Sequence, residues 1–343
     1  MFKSIVYYSW LVWMLSSCIN EIELPIRSES PRLVVEGMIT NEKPPYIVRL
    51  FTTGDFLSSR YPPASLGVQS ALVTITDNTG RSTTLKAVLE QPGVYQTVDS
   101  TFRGEIGRLY TLAVRMPDGK TFQSQPEQLL PVPVLDELKA KFVDVPDRSQ
   151  PSGYQVLVDT QDPVETANYY RWSAYGYVRR ESEGLPMIGG GICCKSCWLL
   201  IANNEVNIFS DANINGNRIQ ERFALFSPFY VRGKQYVEVS QYSLTREAYQ
   251  FWKLLDEQQT RTGSLFDPQP APIEGNIYNV ENTNELALGY FGASAVSRRR
   301  LIIAGDTVTM FPDYQKAFVP LGPKDCRFAF PNASFFPPEN WLR

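Results

Sequence analysis

The sequence predicts a mostly β protein in two parts. An immunoglobulin-like or transthyretin-like β-sandwich comes first, and a second β-rich domain with one long amphipathic helix follows. Three observations lead there. From residue 31 to about 128, apolar and polar residues alternate with period two, which marks strands that turn one face to a core. The segment Leu130-Pro131-Val132-Pro133-Val134 then fixes two backbone angles and breaks the pattern, so residues 129–136 read as a linker. Between residues 243 and 262 the apolar spacing becomes helical.

Pro31 to Ile39 reads as the opening strand. Tyr46, Val48 and Leu50 alternate with Ile47, Arg49 and Phe51, Val73 and Ile75 with Thr74 and Thr76, and Tyr110, Leu112 and Val114 with Thr111, Ala113 and Arg115. Turn formers, Asp77-Asn78-Thr79-Gly80 and Pro117-Asp118-Gly119, separate the runs. About seven such strands over about 95 residues is the size of one sandwich. No cysteine lies in residues 31–128, so apolar packing alone must hold this region.

Residues 137–343 form the second domain, which opens with strands at Tyr154–Thr160 and Asn168–Arg179. The latter puts Tyr169, Tyr175 and Tyr177 on one face and Tyr170 and Trp172 on the other. Tyr170, Trp172 and Tyr175 are a candidate platform for stacking a sugar or peptide. Core packing is the plainer reading, because aromatics dominate β cores. In the helical stretch, Leu244, Ala248, Phe251, Trp252 and Leu255 share a face, with Ser243 placed to cap the start and Gly263 to end it.

The first 17 residues have the layout of a secretory signal peptide: Lys3, an apolar run from Ile5 to Leu15, then Ser16 and Ser17. The run is shorter than the about 20 residues that a membrane-spanning helix needs. Leu15-Ser16-Ser17-Cys18 resembles a bacterial lipobox, which implies cleavage before Cys18 and acylation of its sulfur. Residues 18–30 would then be a lipidated tether, and the protein would be anchored to a membrane rather than spanning it. The acidic start of that tether, Glu21 and Glu23, resembles a surface-export tag and reads equally as a plain tether.

Loss of Lys3 with the signal peptide takes the net charge from −3 to −4. No basic field is left for nucleic acid, and Arg298-Arg299-Arg300 is too short a run to make one. The chain has no histidine, which removes Ser-His and Cys-His nucleophiles and His-bound metals. A carboxylate-based hydrolase stays open, with Asp162, Glu165, Glu181 and Glu183 as its acids, and so does a non-catalytic adhesion module.

Cys193, Cys194, Cys197 and Cys326 remain after lipidation. In an oxidising compartment they imply two disulfides. Bridging the adjacent Cys193 and Cys194 is strained, which leaves two pairings open, Cys194–Cys197 with Cys193–Cys326 and Cys193–Cys197 with Cys194–Cys326. The first is favoured, because a three-residue separation closes in a turn. The stretch Asp211-Ala212-Asn213-Ile214-Asn215-Gly216 matches the first half of a calcium loop, with Asp211, Asn213 and Asn215 as ligands. The twelfth position is Arg222 where an acid is required, and a plain turn at Asn215-Gly216 explains the same residues. No other cofactor is indicated.

Taken in order, the lipobox, the Leu33–Thr40 strand, the cysteine cluster, the Tyr249…Trp252 helix, Ile273-Glu274-Gly275-Asn276-Ile277-Tyr278-Asn279 and Leu288-Gly289-Tyr290-Phe291 resemble a family of Bacteroidota lipoproteins known as domain of unknown function 4249. The resemblance implies an outer-membrane lipoprotein that partners a TonB-dependent transporter in nutrient or peptide uptake, with its body on the cell surface, and it carries over no catalytic or ligand residues.

Overall fold

The computed structural model describes residues 31–54, 66–145, 151–164, 166–260, 273–305, 325–330 and 332–337. The signal stretch, Cys18 and the rest of the tether lie outside the described residues, as does Glu165.

The first region contains β1 (Leu33–Thr40), β2 (Ile47–Thr52), β3 (Leu72–Asp77), β4 (Ser82–Ala87), β5 (Val94–Thr97), β6 (Leu109–Arg115), β7 (Thr121–Ser124) and β8 (Glu127–Gln128). They run as one hydrogen-bonded sheet. Its inner face follows the alternation in the sequence: Val35, Val48, Leu50, Val73, Ile75, Tyr110, Leu112 and Val114 are fully buried in one core.

The chain continues through β9 (Leu135–Val143), β10 (Gly153–Gln161), β11 (Tyr169–Glu181), β12 (Leu185–Pro186), β13 (Ile192–Cys193), β14 (Ser196–Ala202), β15 (Ile208–Ser210), β16 (Arg218–Pro228) and β17 (Lys234–Leu244). Helix α1 (Arg246–Gln259), β18 (Ile277–Asn279), β19 (Leu288–Ser294), β20 (Val296–Ala304) and a short helix α2 (Cys326–Ala329) complete it. One sheet has the order β16-β10-β9 and another β14-β11-β17-β20, with β15 also on β11. Val156, Val158 and Leu225 of the first pack with Tyr170, Trp172, Val237 and Val239 of the second in a separate core.

The helix is shorter than the expected 243–262. Ser243 stays in β17, where its hydroxyl donates to the Leu130 carbonyl at 2.6 Å and accepts from the Ala295 amide at 2.9 Å. Thr245 is the cap instead, its Oγ1 accepting from the Ala248 amide at 3.1 Å.

β18 and β19 leave the second region and return to the first sheet. β18 pairs with β7 at one end, and β19 runs parallel to β1 at the other, from Val34 beside Leu288 to Thr40 beside Ser294. Asn276 draws the two ends together. Its amide donates to the Phe291 carbonyl at 2.8 Å, and its oxygen accepts from the Phe291 amide at 3.0 Å. Closing a sheet in this way removes exposed edges. The close approach of β1 and β19 requires Gly289, which has φ +87° and sits where a Cβ would collide with the Val35 carbonyl oxygen.

One carboxylate joins these parts. Glu127, on β8, is 4% exposed. It accepts from the Tyr290 hydroxyl of β19, from Thr245 at 2.8 Å and from the Asn276 amide at 3.4 Å. Burial raises its pKa, outweighing the three donors. A carboxyl whose pKa is higher folded than unfolded holds its proton longer when folded, so its contribution declines as pH rises above the ordinary value of 4.5. Glu127→Gln keeps the shape without the charge. The variant should gain stability relative to the parent as pH rises from 4 to 8, measured by chemical denaturation at each pH. Parallel pH profiles for the two proteins would contradict this.

Candidate functional site

The outer faces of β1 and β19 form the floor of a cleft of about 350 Å³ where the two regions meet. Alternation decides which residues reach it. Val35, Ile39, Phe291 and Ala293 point into the first core, so Met38 and Thr40 of β1, and Tyr290, Gly292 and Ser294 of β19, line the cleft. Arg171 of β11, Tyr242 of β17 and Trp252 of α1 supply the opposite wall. Gly292 keeps the floor open. A Cβ there would meet just one atom within 4 Å, the Cγ of Met38 at 3.9 Å.

Arg171 is the distinctive group. Its guanidinium carbon lies 4.1 Å from the ring centre of Trp252 and 5.3 Å from that of Tyr242. Stacking on two rings holds the planar fork in place. Burial lowers its pKa, while Tyr242 and Glu36 work to raise it. Among the described residues, no carboxylate forms an ion pair with it and no acceptor hydrogen-bonds to it.

The cleft's acids are already engaged. Glu36 pairs with Arg49 at 3.5 Å, and Glu42 with Arg298 at 2.6 Å. Arg298 also reaches the buried Glu238 at 2.9 Å, and Arg300 reaches it at 2.6 Å. Burial works to raise the Glu238 pKa, but the hydrogen bonds from Arg300 and Arg298 outweigh it and hold that carboxyl below its ordinary value.

The residues singled out in the sequence stand elsewhere. Tyr170 and Trp172 are buried, the former donating to Asp162 at 2.5 Å and the latter, through its indole N–H, to Gln241 at 2.8 Å. Tyr175 is on the opposite face of β11, with its pKa pushed up to about 12 by burial and by Glu238. The three do not form one platform, because neighbours of odd and even number on a strand point opposite ways. Arg171, on the outward face beside them, was the residue to single out. Its signal was weak: a cation between aromatics, whose stacking partners Tyr242 and Trp252 are far away in sequence.

At the calcium-like stretch, Asp211 is buried while Asn213 and Asn215 are exposed. Asp211 accepts from the Asn168 amide at 2.7 Å, and the Gly216 amide donates to Asp162 at 2.9 Å, so these carboxylates fix the turn. Among the described residues, no group of three or more acidic or cysteine side chains is placed to hold a metal. Of the four acids considered for hydrolysis, Asp162 is buried against Tyr170, Glu181 pairs with Arg179 at 2.6 Å, and neither lines the cleft.

The disulfide pairing differs from the favoured one. Cys197 bonds to Cys326, and Cys193 is paired with its neighbour Cys194. Strand alternation explains the first bond. Cys197 faces inward from β14 and is buried with Cys326, Ala333, Phe330 and Phe335. Cys194 has φ +63° just before β14, and its sulfur is bonded to Cys193. The Cys197–Cys326 bridge spans 129 residues and ties α2 to β14. A nonreducing digest should yield a Cys197–Cys326 peptide. Cys326→Ser should lose it and lower stability by at most about 5 kcal/mol. A Cys194–Cys197 peptide would contradict the assignment.

Comparison with solved structures finds faint likenesses. A DUF4785-family protein of Legionella pneumophila shares 9% identity and a TM-score of 0.22, with 62% of this chain and 52% of that one covered. A tandem repeat from the extending region of a large adhesion protein shares 13% identity and a TM-score of 0.19, covering 63% and 46%. The chicken interferon gamma receptor alpha chain shares 12% identity and a TM-score of 0.16, covering 63% and 91%. The chain thus spans about half the length of the first two, and scores this low carry no argument about fold or function. No curated protein matches. The family model described as a domain of unknown function, DUF4249, matches residues 19–300, and the chain belongs to that family.

Proposed function

We propose that this protein is a lipid-anchored, non-catalytic binding partner of a TonB-dependent transporter, which captures a nutrient or peptide beside the transporter at the outer membrane. The observation that carries the binding role is the cleft between the two regions, walled by a stacked, unpaired Arg171 and floored by Gly292. Ligand sites favour such junctions, and this one is built on strands, whose side chains are held in place. The cleft's two acids each face an arginine, Glu36 toward Arg49 and Glu42 toward Arg298.

Acylation at Cys18 supplies the anchor in this reading and raises the local concentration of the cleft near its partner. The first sheet, taken as an immunoglobulin- or transthyretin-like unit, serves as the platform between tether and cleft.

Labelled palmitate should enter the parent protein and not Cys18→Ala, which should leave the membrane fraction. The lipidated parent, purified from native membranes, should bring down a barrel protein in near-equal amount. A lipidated protein recovered alone would support the adhesion role instead and remove the transporter from the account.

A further inference from the structure

The reading of the cleft as a ligand site can be taken further, to the chemistry of its ligand. We infer that the cleft recognises the free carboxylate of a small organic acid with an apolar body, of which the C-terminal residue of a short peptide is the best-fitting example, and that Arg171 makes the recognising contact. This inference rests on the capture reading above.

The first argument compares three stacked arginines. Arg222 lies 5.7 Å from the Trp172 ring and 5.8 Å from the Phe209 ring, and its donors are used: Asn207 accepts at 3.0 and 2.8 Å, and the Ile208 carbonyl at 3.0 Å. Arg180 is enclosed between Tyr230 at 3.7 Å and Phe330 at 4.7 Å, and its Nε is buried without an acceptor, but it does not line the cleft and no ligand can reach that atom. Arg171 is held just as firmly but lines an open cleft, and among the described residues it has no acceptor. A half-buried guanidinium without an anion is costly. Its fork is also the group that best matches a carboxylate, through two parallel N–H···O bonds.

The second argument concerns charge. Lys43, Arg49, Arg171 and Arg298 line the cleft with Glu36 and Glu42. Arg49 and Arg298 are taken by those acids. Among the described residues, Lys43 and Arg171 are left as the uncompensated cations, and their charge favours an anion. The choice of a carboxylate over a phosphate rests on the body the anion carries, which must suit the apolar side of the cleft.

The third argument concerns the remaining space. Met38, Leu244, Ala248 and Trp252 give the cleft an apolar side, and Gly292 leaves room above the floor. A volume of about 350 Å³ accepts a small ligand and not a folded partner.

The test uses the full-length protein in detergent and titration calorimetry with N-acetyl-Ala-Leu, its C-terminal amide and inorganic phosphate. The acid should bind at least tenfold more tightly than the amide or phosphate. Arg171→Gln should lose at least tenfold for the acid and bind acid and amide alike, and Arg171→Lys should recover part of the difference. Gly292→Leu fills the space above the floor while keeping Arg171 in the chain, and should bind neither peptide while melting no lower than the parent, because a Cβ there meets nothing closer than 3.9 Å and glycine inside a strand is itself unfavourable. Equal binding of acid and amide, a preference that survives Arg171→Gln, unaltered binding to Gly292→Leu, or no binding of the acid at millimolar levels would each overturn the inference. Phosphate binding as tightly as the acid would overturn the choice of carboxylate. None of these results depends on recovery of a barrel partner, so the inference and the transporter role can fail separately.

Discussion

The arrangement of this protein depends on one buried carboxylate. Glu127 touches a residue from each of three distant segments: Thr245 at the start of α1, Asn276 at the closure of the first sheet, and Tyr290 in β19. Each contact has a second use. Thr245 caps the helix, Asn276 clasps Phe291, and Tyr290 lines the cleft. A carboxyl with so little exposure is costly unless its hydrogen bonds are complete, so the three segments are held together or not at all. The cleft is therefore set by the same contacts that join the regions.

Parity along two strands does the rest. Because β1 and β19 run parallel in register, both send alternate residues to the same side. Val35, Ile39, Phe291 and Ala293 fill the first core, and the residues between them form the cleft floor. A slip of one residue would turn this arrangement inside out. Gly289 holds the register, since no other residue type fits so near Val35 at its positive φ.

Much of this was legible in the sequence, and the limits have physical causes. The alternation matched the inner face of β2, β3 and β6, because burial on one side imposes period two. The helix was visible from its apolar spacing, although pairing with β11 kept Ser243 in the strand and moved the cap to Thr245. The return of β18 and β19 to the first sheet could not be read, because it depends on pairings between segments more than 150 residues apart, of which Tyr290 and Glu127, separated by 163, are one case. The cleft was hidden for the same reason. The aromatic residues that drew attention on β11 are those that pack, while the functional interest lies in the arginine between them.

That contrast bears on how such sites are found. Stacking on Trp and Tyr orients an arginine and returns about 0.5–2 kcal/mol, whereas leaving a partly desolvated charge without an anion costs several. At Arg222 the balance is restored within the chain by Asn207 and the Ile208 carbonyl. At Arg171 the described residues restore none of it, although Glu36 lines the same cleft, because Glu36 is drawn instead to Arg49. A cation that is rigidly held, open to a cleft and left without its counterion gains most from a ligand, because the cost of ordering it has already been met by folding. The missing partner is thus the most informative feature of the site.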